Sequence, residues 1–159
     1  MLICKIMEQI LAPKNKLITF KKAGLKDISI LLGLEKSVMD TNFYSSVEDW
    51  HNEIKENAVF LIEKEGTIVG YTAYFKENGE YAHMGGLVIK PEFQGQGIGR
   101  EATLYRLREI GNVKRVDVVT HPENISVINL YQSLGFVIES RKENYYGDGE
   151  PRLVLVLAR

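Results

Sequence analysis

The stretch KPEFQGQGIGREATLYRLREI, Lys90 to Ile110, constrains this chain more than any other. It places Gly95, Gly97 and Gly99 directly before a segment of helical character. Glycine costs a helix about 1 kcal/mol per position relative to Ala, so three within five residues mark a place where bare backbone is needed. A glycine loop that runs from a strand into a helix gathers N–H groups at the helix N-terminus, where amides and helix dipole hold an anion. The segment therefore reads as a phosphate cradle, with a plain sharp turn as the alternative. A P-loop requires Gly-Lys-Ser/Thr, but Gly97 is followed by Ile98, Gly99 and Arg100. A Rossmann loop requires Gly-x-Gly-x-x-Gly, and the third glycine here comes one residue early.

The flanking patterns supply the rest of the architecture. KLITFKKA reads as a first strand, and Asp27 is placed to cap a helix running through Lys36. Ser46 and Asp49 resemble a capping box for a second helix ending near Lys55. The run from Asn57 to Pro91 carries two turn signals, Glu65-Gly66 and Asn78-Gly79, and reads as a three-strand antiparallel meander. After the glycine loop and its helix, VKRVDVVT is a strand. Asn124 then starts a helix with Val127, Leu130, Tyr131 and Leu134 on one face. GFVIESRKENYY and PRLVLVLAR close the chain as two strands joined through Gly147-Asp148-Gly149. The order β-α-α-β-β-β-α-β-α-β-β predicts an α/β fold with a mixed sheet and helices on both faces.

Composition narrows the functions. A length of 159 residues suits one domain, and a net charge of -1 offers no cationic excess for nucleic acid. One cysteine, Cys4, excludes an internal disulfide and argues against a cysteine zinc site; no metal is expected. The N-terminus is broken by Lys5, Glu8 and Gln9, so it reads as neither signal peptide nor membrane span, and a reducing cytoplasm is the expected location. Residues 1–16 form an extension with helical spacing at Ile3, Ile6, Met7, Ile10 and Leu11, ahead of a single domain over residues 17–159.

LVIKPEFQGQGIGREA resembles the acetyl-CoA-binding motif of the GNAT superfamily of N-acetyltransferases, whose core is Gln/Arg-x-x-Gly-x-Gly/Ala. A second motif of that family is matched by NISVINLYQSLGF, Asn124 to Phe136. The resemblance runs from about Leu17 to Arg159 and implies a mostly antiparallel sheet of about seven strands. It implies that the backbone of Leu87, Val88 and Ile89 pairs with the pantetheine arm of acetyl-CoA. Gln94, Gly95, Gln96, Gly97, Ile98, Gly99 and Arg100 would wrap the pyrophosphate, and Asn124 would cap its helix and touch the cofactor arm. Gly85 and Gly86 suit the bulge by which the family opens its sheet. The family places a tyrosine at the position of Tyr131 to protonate the departing thiolate, a task a phenol near pKa 10 can perform. The alternative for Tyr131 is core packing.

Acetyl transfer by direct attack in a ternary complex needs a neutral amine. A lysine is about 0.04% neutral at pH 7, an α-amine about 14%. Family members that acetylate protein N-termini often carry a glutamate base five residues before the motif's asparagine; that place holds Val119. The remaining candidate bases are His83 and Glu80, with His121 behind them. RKENYYGDGEPRLVLVL resembles the tail of the same N-terminal acetyltransferases, including the ribosomal-protein-alanine group, where two tyrosines on the strand leading into the loop hold the substrate backbone; Tyr145 and Tyr146 take those places. The expected partners are acetyl-CoA, an amine acceptor and a second copy of the chain in a homodimer. The acceptor is a peptide N-terminus or, alternatively, a small amine such as an amino acid, polyamine or amino sugar. A non-catalytic acyl-CoA sensor is the competing class.

Overall fold

The computed structural model describes residues 17–38 and 44–158, so the expected N-terminal helix lies outside the described residues. The elements are β1 (Ile18–Lys22), α1 (Ile28–Val38), α2 (Val47–Glu56), β2 (Ala58–Lys64), β3 (Thr67–Glu77), β4 (Tyr81–Ile89), α3 (Ile98–Ile110), β5 (Arg115–Thr120), α4 (Ile125–Ser133), β6 (Val137–Lys142) and β7 (Arg152–Ala158). The order agrees with the sequence reading. A seven-stranded sheet runs β1-β2-β3-β4-β5-β7-β6, with β4 and β5 parallel. The β1–β2, β2–β3, β5–β7 and β6–β7 pairs are antiparallel. No helix among the described residues is long and apolar enough to cross a membrane.

Both meander turns form where they were expected. Glu65 and Gly66 take φ of 50° and 81°, and Asn78 and Gly79 take 43° and 74°. Two successive positive φ values match the twist of a tight hairpin.

Strands β3 and β4 each contribute to two compact units. The first takes the chain through Tyr74 together with Gly86–Glu109. Alternation along β2 sends Val59 and Leu61 to one side and Ile62 to the other, and each side finds its own helices. Leu31 and Leu34 of α1 and Trp50 of α2 pack with Val59, Leu61, Tyr71 and Val88. Ile98 and Ala102 of α3 pack with Ile18, Ile62 and Val69. Full burial of an aliphatic or aromatic side chain contributes roughly 1.5–3 kcal/mol. Gly70 of β3 answers to a close approach: a Cβ there would lie 2.1 Å from the Val88 carbonyl oxygen.

One capping expectation is corrected and another is met. A 3-10 turn, Leu25–Asp27, precedes α1, and the Asp27 carboxylate accepts the Gly24 N–H at 2.9 Å. Asp27 thus caps backward onto the turn instead of opening α1. Ser46 and Asp49 do form the reciprocal box on α2, at 3.1 and 2.7 Å.

The second unit takes Phe75–Gly85 and the chain from Ile110 onward. Ala82, Met84, Val116, Val118, Leu155, Ile128, Tyr131 and Phe136 are buried there. Ile128, absent from the predicted apolar stripe of α4, is buried, whereas Val127, Leu130 and Leu134 are half-buried.

Candidate active site

The glycine loop begins beyond β4 with a 3-10 turn, Pro91–Phe93. Gln94 donates its side-chain amide to the Ile89 carbonyl at 2.9 Å, and Gln96 donates to that of Glu92 at 3.2 Å. The first bond ties the loop to the end of β4 and the second ties it to the 3-10 turn. Lys64 donates to the Gln96 side-chain oxygen and brings a cation to the loop from β2, a residue the sequence reading passed over. Gly95 and Gly97 hold φ of 74° and 80°, the left-handed region that side chains disfavour, with open space where a Cβ would stand. Gly99 instead lies in the first turn of α3. The Glu101 N–H is the one that reaches the Gly97 carbonyl, at 3.1 Å. The amides of Ile98 and Gly99 ahead of it have no acceptor among the described residues. Two amides without an acceptor at a helix start, next to glycines that carry no side chain, suit a diphosphate. Arg100 follows on the same turn.

The β4–β5 register runs from Tyr81↔Arg115 to Met84↔Val118 and ends there. Leu87, Val88 and Ile89 therefore have no β5 partner among the described residues, although β5 continues on β7 through Thr120. Backbone that has lost its neighbour can pair with an extended ligand. Gly86, just before this stretch, would put a Cβ 2.9 Å from the Tyr71 ring, so its bareness gives Tyr71 room.

The parallel register sets His83 beside Asp117, and their side chains meet, Nδ1 to Oδ1 at 2.6 Å. Tyr81 donates its hydroxyl to the same carboxylate at 3.0 and 3.1 Å. Burial first, then the Asp117 charge and hydrogen bond, push the Tyr81 phenol up to about 12. Burial also disfavours the Asp117 charge, but bonds from His83 and Tyr81 outweigh it and hold the carboxyl below its usual range. A carboxylate on one imidazole nitrogen fixes the tautomer and leaves the other nitrogen for chemistry. Glu80 is not part of this group. It lies in the turn before β4, exposed and ion-paired with Lys114 at 2.8 Å. His121 accepts the Glu123 N–H at 3.2 Å and meets Glu150 at 3.3 Å.

Tyr131 is 2% exposed on α4, edge-on to Phe136 with ring centres 5.2 Å apart. Asn124 occupies the cap position of α4, but its side chain caps nothing, contrary to the expectation. Its backbone carbonyl accepts the Ile128 N–H at 3.0 Å, while its carboxamide oxygen faces the Ser126 hydroxyl at 3.5 Å. A backbone φ of −80° and ψ of 64° is not the extended conformation from which a side chain reaches the next amides.

Tyr145 and Tyr146 also lie elsewhere than expected. β6 ends at Lys142, and both tyrosines sit in the following loop, ring centres 4.7 Å apart and nearly perpendicular. Asn144 shapes that loop: it takes φ of 50° and its side chain accepts the Gly149 N–H at 2.7 Å. Lys142 covers the Tyr145 ring and Arg152 the Tyr146 ring, at 5.6 and 5.2 Å.

The first unit holds a cavity of about 170 Å³ bounded by Glu35, Asp49, Trp50, Glu53, Tyr71 and Gly86. Glu35 is 4% exposed and accepts the Ser45 N–H and hydroxyl at 3.1 and 2.8 Å. Asp49 is held by Ser46. Burial, then the Glu35 and Glu53 charges, raise the Tyr71 phenol far enough that it keeps its proton. No local pattern announces this cavity, since its walls come from helices and strands far apart in the chain. Among the described residues no cluster of side chains is suited to a metal ion.

Three comparisons place the chain among known proteins. The profile of the Acetyltransferase (GNAT) family matches residues 29–136. An N-alpha-acetyltransferase of Sulfurisphaera tokodaii is 28% identical over 160 residues, covering 91% of this chain and 95% of that protein. The crystal structure of the ribosomal-protein-S18-alanine N-acetyltransferase from Escherichia coli superposes with a TM-score of 0.77 at 21% identity, covering 89% of this chain and 93% of the other. A GNAT family acetyltransferase from Elizabethkingia anophelis, determined with acetyl-CoA bound, gives 0.72 at 17% identity, covering 91% and 100%. The two glycine-loop and α4 motifs, the strand order and the family match lead to one conclusion: the chain belongs to the GNAT family of acetyltransferases.

Proposed function

We propose that the protein transfers acetyl from acetyl-CoA to the α-amine of a protein or peptide N-terminus. The observation that carries the donor half is the left-handed pair Gly95 and Gly97 ahead of the Ile98 and Gly99 amides, which have no acceptor among the described residues. The acceptor half is supported by the N-alpha-acetyltransferase relative. It is supported also by arithmetic: an α-amine is about 14% neutral at pH 7 and needs little help to react. We read residues 17–159 as one functional domain, because the family match spans parts of both units.

Acetyl-CoA supplies an acyl carbon activated as a thioester. Gly95 to Arg100 hold its diphosphate, and the backbone of Leu87 to Ile89, on the edge that β5 does not cover, takes the pantetheine arm and donates to the thioester carbonyl. His83, oriented by Asp117, accepts the proton that the amine gives up. Tyr131 donates its phenolic proton to the leaving sulfur. Glu80, salt-bridged in an exposed turn, is the weaker base candidate. Tyr145 and Tyr146 contribute aromatic surface for a peptide backbone from their loop.

The test is an assay of acetyl-CoA with three acceptor sets: peptides with free α-amines, the same peptides N-terminally blocked but containing lysine, and small amines including spermidine. Mass spectrometry locates the acetyl group. The expected outcome is acetylation at α-amines. Turnover of small amines alone would overturn the acceptor assignment, and acetyl-CoA binding without any turnover would overturn the enzymatic reading.

A further inference from the structure

The cavity beside Gly86 contains more polar capacity than its own walls use. Glu35 and Asp49 are engaged by Ser45 and Ser46. The Glu53 carboxylate, one turn beyond Asp49 on α2, has neither hydrogen bond nor ion pair among the described residues. Trp50, 4% exposed, lines the same cavity, and its buried indole N–H has no acceptor among the described residues. An orphaned buried donor costs about 1–3 kcal/mol, so one beside a cavity points to an occupant that supplies an acceptor. Tyr71, which keeps its proton, adds a second donor.

These groups specify the occupant. Two donors want carbonyl oxygens, and a free carboxylate wants a cation. A polyamine offers the cation but no acceptor; an acidic peptide offers acceptors but meets repulsion. A peptide with a basic side chain offers both. The cation Glu53 takes is not the reacting amine, because a carboxylate beside that amine would favour its unreactive charged form. It is a second charge that stays positive throughout. The cavity reaches Gly86, immediately before the Leu87–Ile89 backbone, so a neighbouring residue of the acceptor is within its reach.

We propose that this cavity receives the second residue of the acceptor peptide and that Glu53 makes the enzyme prefer a basic residue there. The inference rests on the proposed α-amine acceptor. Three peptides test it, each beginning with Ala and differing only in Arg, Gln or Glu at position two; Arg adds charge without a second acetylatable amine. The expected kcat/KM order is Arg above Gln above Glu, with about tenfold between the first two, carried by KM. Glu53→Gln should bring the Arg and Gln peptides within about twofold of each other by lowering kcat/KM for the Arg peptide. Trp50→Phe should raise KM for all three alike. Gln-peptide turnover with no Arg preference in the native enzyme, or an Arg preference that survives Glu53→Gln, would overturn this inference alone. Acetylation of none of the three would remove the α-amine reading and the inference with it.

Discussion

Tyr131 was legible from sequence as a residue, and the structure adds that it is buried against Phe136. Tyr131→Phe keeps the ring contact and removes only the hydroxyl. The kcat should fall about 10²-fold with acetyl-CoA affinity unchanged, as measured by steady-state kinetics and calorimetry. Asp117 was not legible. Its meaning comes from a parallel register that sets it beside His83, 34 positions away, and no local pattern announces such a partner. Asp117→Asn should lower kcat with little effect on the KM for acetyl-CoA. It should also change the acid limb of stability. The Asp117 carboxyl is held below its usual range when folded. Its contribution is therefore present above the unfolded value near 3.9 and fades as pH falls through the lower folded value. Chemical denaturation from pH 6 to 3 should show the native protein losing more stability than the variant.

Elements were read more accurately than the caps that bound them. The meander, its two turns and the Ser46–Asp49 box follow from short-range rules about φ and side-chain reach, and they form as expected. Asp27 and Asn124 were assigned caps by residue type alone, and the backbone conformation decided otherwise. The glycine loop shows the same division. Gly95 and Gly97 need their conformation, while Gly99 is an ordinary helical position in space. Gly97→Val should weaken acetyl-CoA binding at least tenfold with the circular dichroism spectrum retained, because a side chain now stands in open space at the cradle and φ must shift. Gly70→Ala acts on stability instead. A Cβ 2.1 Å from the Val88 oxygen must push β3 from β4, and a loss of about 2 kcal/mol or more in denaturant unfolding is expected.

At the scale of the whole molecule, the strand and helix order was legible because each element carries its own periodicity. The cavity was not, because Glu35, Trp50, Glu53 and Tyr71 belong to α1, α2 and β3 and meet only through packing. The same holds for the end of the β4–β5 register, which leaves Leu87 to Ile89 without a β5 partner among the described residues. If a free α-amine is the nucleophile, kcat/KM should rise with pH through about 7 to 8 and level off above the amine's own titration. A profile flat over that range would argue against it. The most direct measurement is a crystal structure of the protein with acetyl-CoA. The account predicts its diphosphate on the amides of residues 95 to 100 and its pantetheine alongside Leu87 to Ile89; a donor bound anywhere else would contradict it.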